Sequence, residues 1–549
     1  MKRKIYKANM KQNELNKLAT EADASLKAND LEKASEIANA ILKFNRSAGL
    51  AYMGIVCLRR ELLDKAEEHL LESFQLNAKQ NLALANLIPT YIKKRDFKKA
   101  VAFGEQAYTA MPNNQSVCIN YAAALLQEQG YIKALEVLKP LHDPEKPLVS
   151  VISGLIGCYR ALFMKAEADE MLALADIHFG AMPEISRLKA DSLAELNPVD
   201  ALKAFQEVIK VDPNNIATRW NMSLVQLRLG EYKEGWVNYD NGLLPEVGKI
   251  GRPLPKLFEG ARRITDMDTI DHDKWTYAVC EQGIGDQVLF LGVFKQFLTD
   301  FPKTVLVCEK RLTPLFKRSF PGTPIYAFGA GPFVAANSKI CNGIVPIGSF
   351  QKKYRSSRED FIVNRGTYIT PDQVKVDKFR EILLQKTGAK KLVGFSWKGG
   401  FWERAQKTKT LDIELWDPIF KRDDVIFVSL QYGDVTKEKT YLNGRFKNIR
   451  WIDGLDFKKD LDGWVSLACA CDDIISVSTA LVHFAGAAGR SVHLLLSDRG
   501  GPFIWGLEEG PSIAYPDIKI YRKKLSETNE SFFENVSDKA LFDKSRGAQ

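Results

Sequence analysis

A small residue recurs through the first half of the chain at Ala34, Ala66, Ala100, Ala134, Ala166, Ala201 and Gly235, at steps of 32, 34, 34, 32, 35 and 34 residues. The surrounding text repeats with it: Asp30-Leu31-Glu32-Lys33-Ala34, Asp96-Phe97-Lys98-Lys99-Ala100 and Gly230-Glu231-Tyr232-Lys233-Glu234-Gly235. A second small residue often stands twelve positions earlier, at Ala22, Gly54, Ala122, Gly154 and Ser223, and Pro-Asn-Asn follows two of the markers at Pro112 and Pro213. A period of this length is one helix pair per repeat. Small residues let two antiparallel helices approach closely, and proline followed by asparagine ends the second. No pair can bury its apolar face alone, so neighbours must stack into a solenoid with a concave groove. The pattern predicts such a solenoid over residues 1–245, least regular near Asp191, where Lys189 takes the place of a small residue. Arrays of this kind bind peptides or proteins. Asn86, Asn120 and Asn221 fall at equivalent positions on first helices and either hold a peptide backbone in the groove or are solvated.

After Asp240 the text turns loop-like through Gly251, Pro253 and Pro255, and then the period changes. Strand-like segments at 275–279, 304–308 and 324–328 alternate with helical ones, including 312–320, and 371–386 bridges to a second series with strands at 392–397, 425–430, 473–477 and 491–496. Alternation of this kind argues for parallel sheets covered by helices. Two successive α/β domains are predicted, residues 246–385 and 386–549, facing one cleft.

One turn in the first series carries chemistry. Cys280-Glu281-Gln282-Gly283-Ile284-Gly285-Asp286 follows the first strand, and Val288, Leu289, Leu291, Val293, Phe294 and Phe297 then recur at helical spacing. Gly283 and Gly285 are expected to let the backbone pass close to a ligand, with the helix amides aimed at it. Asp286 would stand at that mouth, beyond the carboxyl end of a strand, where open α/β sheets place ligands. It either serves as a base or caps its own helix. In the second series each strand also ends in a polar turn: Lys398-Gly399-Gly400 followed by Arg404, Lys407 and Lys409; Gln431, Gly433 and Asp434; and Ser478-Thr479, two good N-caps for the helix that carries His483.

Glu281-Gln282-Gly283-Ile284-Gly285-Asp286, Ser396-Trp397-Lys398-Gly399-Gly400, Ser429-Leu430-Gln431-Tyr432-Gly433-Asp434 and Ser478-Thr479-Ala480-Leu481-Val482-His483-Phe484-Ala485-Gly486 resemble bacterial proteins that join tetratricopeptide repeats to a glycosyltransferase of GT-B fold. The catalytic half is similar to lipopolysaccharide heptosyltransferases, the overall plan resembles O-GlcNAc transferases, and the layout is most similar to repeat-containing flagellin glycosyltransferases, some of which use an activated pseudaminic acid. The resemblance spans nearly the whole chain. It implies an all-α tetratricopeptide solenoid that binds an acceptor protein, followed by two Rossmann-like domains, the first carrying the base and the second the nucleotide-sugar donor. It implies inverting, metal-independent transfer with the nucleotide sugar as co-substrate and no cofactor. Relatives often have aspartate before the threonine of the last motif, where this chain has Ser478.

On this reading Asp286 matches the aspartate of the heptosyltransferase glycine-aspartate motif and is the catalytic base. Donor binding falls to Ser396, Lys398, Gly399, Arg404, Lys407, Gln431, Ser478, Thr479 and His483. Lys398, Arg404 and Lys407 are candidates for the leaving phosphate, with a solvated basic loop as the alternative, and His483 is either packed or ligand-facing. Glu281 and Gln282 either shape the turn or touch the sugar. The acidic pairs at Asp266, Asp271 and Asp460 lie at no convincing strand end, so no metal site is expected. A net charge of +9 over 549 residues is mild and, with no nucleic-acid module, fits an acidic small ligand or partner. No apolar run is long enough to cross a bilayer, no signal peptide is visible, and the scattered cysteines read as buried thiols, which together predict a cytoplasmic protein. The expected function is O-glycosylation of Ser or Thr in a protein, flagellin first, from CMP-pseudaminic acid or a related nonulosonic acid. The alternatives are a transferase acting on lipopolysaccharide or another surface saccharide, and a non-catalytic repeat scaffold.

Overall fold

The structure, a computed structural model, describes residues 2–541 except 163, 181, 195–196, 331–339, 386–390, 400–408, 498–500 and 525. The chain divides into two compact units, residues 1–188 and 189–549. Helix pairs fill the first unit and open the second. Second helices start at Leu31, Leu63, Phe97, Tyr131, Lys165, Pro198 and Tyr232, and first helices at Arg46, Asn81, Gln115, Val149, Pro183 and Ile216. Asp30, Asp96, Asn114 and Asn215 cap their helices by accepting from backbone amides three residues on. Small residues stand where the sequence reading requires them: a side chain on Gly54 would meet Leu70 at 2.5 Å, and one on Gly154 would meet Leu138 at 2.6 Å.

One marker moves. Ala166 is exposed at the start of its helix, and the buried small residue is Ala168, which restores a step of 34 residues from Ala134. Near the irregular repeat, half-buried Lys189 leaves its neighbour Ala190 to share a core with Ala201 and Phe205.

In the second unit, strands β1 (Trp275–Val279), β2 (Thr304–Cys308), β3 (Ile325–Ala327) and β4 (Cys341–Pro346) form a parallel sheet in the order β3-β2-β1-β4. The other sheet comprises β5 (Lys391–Ser396), β6 (Val425–Ser429), β7 (Ile449–Arg450), β8 (Asp473–Val477), β9 (Ser491–Leu496), β10 (Gly510–Pro511) and β11 (Ile518–Arg522). Its order is β10-β11-β9-β8-β5-β6-β7, parallel except at the β10–β11 edge. Strand order reverses between β1 and β4 and between β5 and β8, which opens a crevice beyond their carboxyl ends. The α/β expectation is therefore met twice over.

The last repeats belong to the same compact unit as the two sheets. Trp220, Trp236 and Tyr239 are buried in one core with Phe290 of the first sheet's domain and Trp505 of the second's. Trp236 donates its indole N–H to the Arg355 carbonyl at 2.8 Å, and both Trp236 and Tyr239 lie against Phe290 and Phe503. Repeat text thus runs to Tyr239, while the boundary between compact units falls earlier, at residue 188.

All eight cysteines are buried and free, and burial pushes the Cys469 thiol up to about 11. Among the described residues no helix is long and apolar enough to cross a membrane.

Candidate active site

Two helix N-termini meet at the crevice, one from each sheet. The first helix, Ile284–Phe290, follows β1 through the turn Cys280-Glu281-Gln282-Gly283. The residue in the left-handed region is Gln282, at φ 64°, whereas Gly283 has an ordinary φ of −74°. Gly285 also serves a purpose other than ligand approach. A side chain there would meet His483 Cδ2 at 3.0 Å and the Ala480 Cα at 3.3 Å, so this glycine lets the helix pack against Ala480–Ala487 of the second sheet.

Asp286 stands in the first turn of the Ile284–Phe290 helix, half-buried. Its Oδ2 accepts from the Gly283 amide at 3.1 Å, so it does cap its helix. Burial raises its carboxyl above the ordinary range, against the nearby Lys409 ammonium and the Gly283 amide, which pull it down. A carboxylate made more basic by burial, with a cation beside it, is better suited to accept a proton than an ordinary exposed one.

The second helix brings its own groups to the same point. His483 is buried, its Nδ1 3.0 Å from the Tyr515 hydroxyl and its ring stacked on Trp505 at 5.0 Å. Burial and the Lys409 charge depress it to about 3, so it is a neutral, packed imidazole at physiological pH. Thr479 occupies the N-cap position, yet neither it nor Ser478 caps the helix with its side chain. Ser478 Oγ accepts the Trp505 indole N–H at 3.0 Å, and Thr479 Oγ1 is buried with no partner among the described residues. Among the described residues the Thr479 hydroxyl is thus unengaged at a helix N-terminus, an arrangement that suits an anion. Gly399 lies against this N-cap: a side chain there would meet Thr479 Cγ2 at 2.8 Å and Lys409 Cβ at 3.6 Å.

Like Ser478 and His483, three further predicted donor contacts are engaged within the protein. Gln431 Oε1 accepts from Ser396 Oγ at 2.9 Å and from the amides of Trp397 and Lys398, and its Nε2 donates to the Lys398 carbonyl. Ser396 and Gln431 are buried and hold the turn after β5 in shape. Lys398 turns away to Glu438 Oε1 at 2.7 Å and the Asp434 carbonyl at 2.9 Å. Arg404 and Lys407 lie outside the described residues. Lys409, two positions beyond Lys407, is the basic group whose charge reaches both Asp286 and His483. Its signal in the sequence was one lysine among several in a basic stretch, with nothing to single it out.

Beyond the carboxyl ends of β6 and β7 opens a cleft of ≈ 420 Å³, lined in part by Ser429, Gln431, Tyr432, Lys439, Trp451 and Phe457. Aromatic faces beside polar edges suit a planar heterocycle.

Two of the three repeat asparagines are engaged within the fold. Asn86, Asn120 and Asn221 each sit sixth in their first helices. Asn86 donates to its own helix at the Leu82 carbonyl and Asn221 to Asp191 at 2.7 Å, which ties both into the fold, while Asn120 is half-buried.

Glu281 is turned into the protein and shapes the turn. It is buried behind the turn, its Oε1 accepting from Arg252 Nη2 at 2.8 Å, Arg252 Nε at 3.1 Å and the Gly348 amide at 3.0 Å. Arg252 is fully buried and also donates to Asp240 at 2.9 Å. Removing one partner from such a set strands the other's charge. Arg252→Met is expected to cost about 3–5 kcal/mol of stability by urea denaturation, and adding Glu281→Gln is expected to recover part of it.

No family model matches the chain. Among curated proteins it is similar to Protein FlbA of Caulobacter vibrioides (strain ATCC 19089 / CIP 103742 / CB 15), 26% identical over 439 residues, 75% of this chain and 70% of the relative. Among solved structures it is similar to a tetratricopeptide repeat protein from Parabacteroides merdae ATCC 43184, at 14% identity and TM-score 0.35 over 41% of this chain and 91% of the other. It is also similar to E. coli ADP-heptose lps heptosyltransferase II, at 11% identity and TM-score 0.33 over 48% of this chain and 97% of the other. A tetratricopeptide-type array followed by two parallel-sheet domains, expected from the repeats and motifs, is the architecture that the helix pairs and strand orders show.

Proposed function

We propose that this chain is a glycosyltransferase that moves a sugar from a nucleotide-activated donor to a hydroxyl of a protein. The observation that carries the reading is convergence: the helix of Asp286 packs at Gly285 on the helix that Thr479 starts, and Lys409, beside that N-cap, acts on Asp286 by its charge. Transfer needs a proton acceptor beside the incoming hydroxyl and positive groups at the departing phosphate.

In the step, the acceptor hydroxyl oxygen attacks the anomeric carbon and Asp286 takes its proton. The bond from that carbon to the phosphate oxygen breaks, and the nucleotide leaves with the electron pair. The amides of Ala480 and Leu481, the Thr479 hydroxyl and Lys409 meet the charge that develops there. The aromatic cleft past β6 and β7 holds the base. Attack from the face opposite the phosphate inverts the anomeric centre. By the motif resemblance the donor is CMP-pseudaminic acid or a related nonulosonic acid, the acceptor is Ser or Thr of flagellin, and the reaction runs in the cytoplasm without a metal ion.

Intact-mass analysis of flagellin co-expressed with this chain and the donor-forming enzymes tests the whole reading. One added glycosyl mass per site is expected, and an unshifted acceptor mass overturns it. The phosphate assignment has its own test. Lys409→Met is expected to weaken free nucleotide binding about 10- to 100-fold by calorimetry, the scale of one charge-assisted hydrogen bond. Lys398→Ala is expected to change it far less, because that side chain is held by Glu438 and Asp434. Equal losses in the two variants would remove Lys409 from the phosphate.

A further inference from the structure

We propose that Tyr239, on the last repeat helix, is a positioning residue for the turn that carries Asp286, so that the end of the repeat array sets the geometry of catalysis. This rests on the reading of Asp286 as base.

The starting observation is Gln282. It holds φ 64° directly before Gly283, in a region where glycine is at ease and a residue with Cβ is strained. A chain with glycines at 283 and 285 uses glutamine here, and the side chain gives the turn a hold that glycine could not. It does so through Tyr239: Gln282 Nε2 donates to the Tyr239 hydroxyl at 2.9 Å, and that hydroxyl lies 3.3 Å from Gln282 Oε1. On its other side the Gln282 carbonyl accepts from Gln287 Nε2 at 3.4 Å, which ties the turn to the helix it starts. Only three residues separate Gln282, where Tyr239 is anchored, from Asp286.

Tyr239 is itself held firmly. Its ring is buried, lies 4.7 Å from the Arg252 guanidinium, and packs on Phe290 at 6.0 Å and Phe503 at 5.7 Å. Phe290 ends the helix that Asp286 opens, and Phe503 belongs to the segment whose Trp505 donates to Ser478 and stacks on His483. One aromatic side chain from the repeats therefore reaches the base through Gln282 and leans on the segment that frames the donor helix. A tilt of the helix Tyr232–Tyr239 moves this hydroxyl, and with it the turn.

The test uses the full chain. Tyr239→Phe keeps the ring and removes only the hydroxyl. It is expected to lower kcat about 10- to 100-fold, the scale of a misplaced catalytic group, with KM for donor and acceptor and the thermal midpoint nearly unchanged. Gln282→Gly relaxes the backbone and removes the same bond, so adding Tyr239→Phe to it is expected to cost nothing more. An unchanged kcat in Tyr239→Phe, or additive losses in the double variant, overturns the proposal. Asp286→Asn separates the two claims. Should that variant keep full rate, the base reading falls, and amide hydrogen exchange across 282–286 in Tyr239→Phe then decides the positioning claim, with unchanged protection counting against it.

Discussion

Asp286→Asn is expected to lower the rate of transfer about 10²–10⁴-fold, or about 3–5 kcal/mol of barrier, without weakening the fold. The amide keeps a carbonyl oxygen for the Gly283 N–H but cannot take a proton. The pH behaviour follows from the direction of the shift. Because burial raises the folded carboxyl above its ordinary value, the acid limb of kcat/KM should lie above the usual carboxylate range, with activity lost as pH falls through it. Lys409 opposes that rise, so Lys409→Met should carry the limb to still higher pH. Stability runs the other way: between the unfolded and folded values the native state binds more protons, and stability falls as pH rises through that window. Asp286→Asn removes this cost, and its thermal midpoint at neutral pH should equal or exceed that of the parent. A rate close to the parent's, or an acid limb that stays put in Lys409→Met, would end this assignment.

Local pattern made much of this legible. β1, β2, β8 and β9 were readable to the residue because they are short apolar runs bounded by turns, and the helix pairs because close packing demands small residues at a fixed interval. β4 was not among the strands expected, because Asn342, Gly343 and Pro346 interrupt its apolar pattern, although every residue of the strand is buried. Gly343, at φ 128°, is there because a side chain would strike the Arg262 carbonyl at 2.4 Å. That constraint comes from a segment some eighty residues away. The same holds at the site. Asp286 and the glycine turn were visible as a local motif, whereas the partners of Lys398 and Glu281 lie 33 to 40 and 29 to 67 residues distant, and Gln431 reaches back 33 to 35 residues to hold the turn after β5. Spacing alone cannot say whether a polar side chain faces a ligand or its own fold.

The boundary at residue 188 carries the other large expected effect. A chain of residues 189–549 should fold, melt cooperatively and bind nucleotide, while residues 246–549 should aggregate or fail to fold. The second cut removes Trp220, Trp236 and Tyr239 from a shared core, bares Phe290 and Phe503, and takes Asp240 from Arg252. Each large aromatic buries about 150–250 Å², worth up to about 4–6 kcal/mol at about 25 cal/mol per Å². Against a net stability of about 5–15 kcal/mol, losing even part of three such side chains is decisive. Residues 1–188 keep five of the helix pairs, and an array of that length offers the extended surface that a protein acceptor needs. Binding energy from a surface outside the reacting groups can support the chemical step on a bound protein. Residues 189–549, once shown to be folded and nucleotide-binding by calorimetry, should therefore neither capture flagellin in a pull-down nor glycosylate it at more than a small fraction of the full-length rate. Full-rate modification by 189–549 would take acceptor recognition away from the first five pairs. A well-folded 246–549 would show that the last repeats are accessory to the catalytic half.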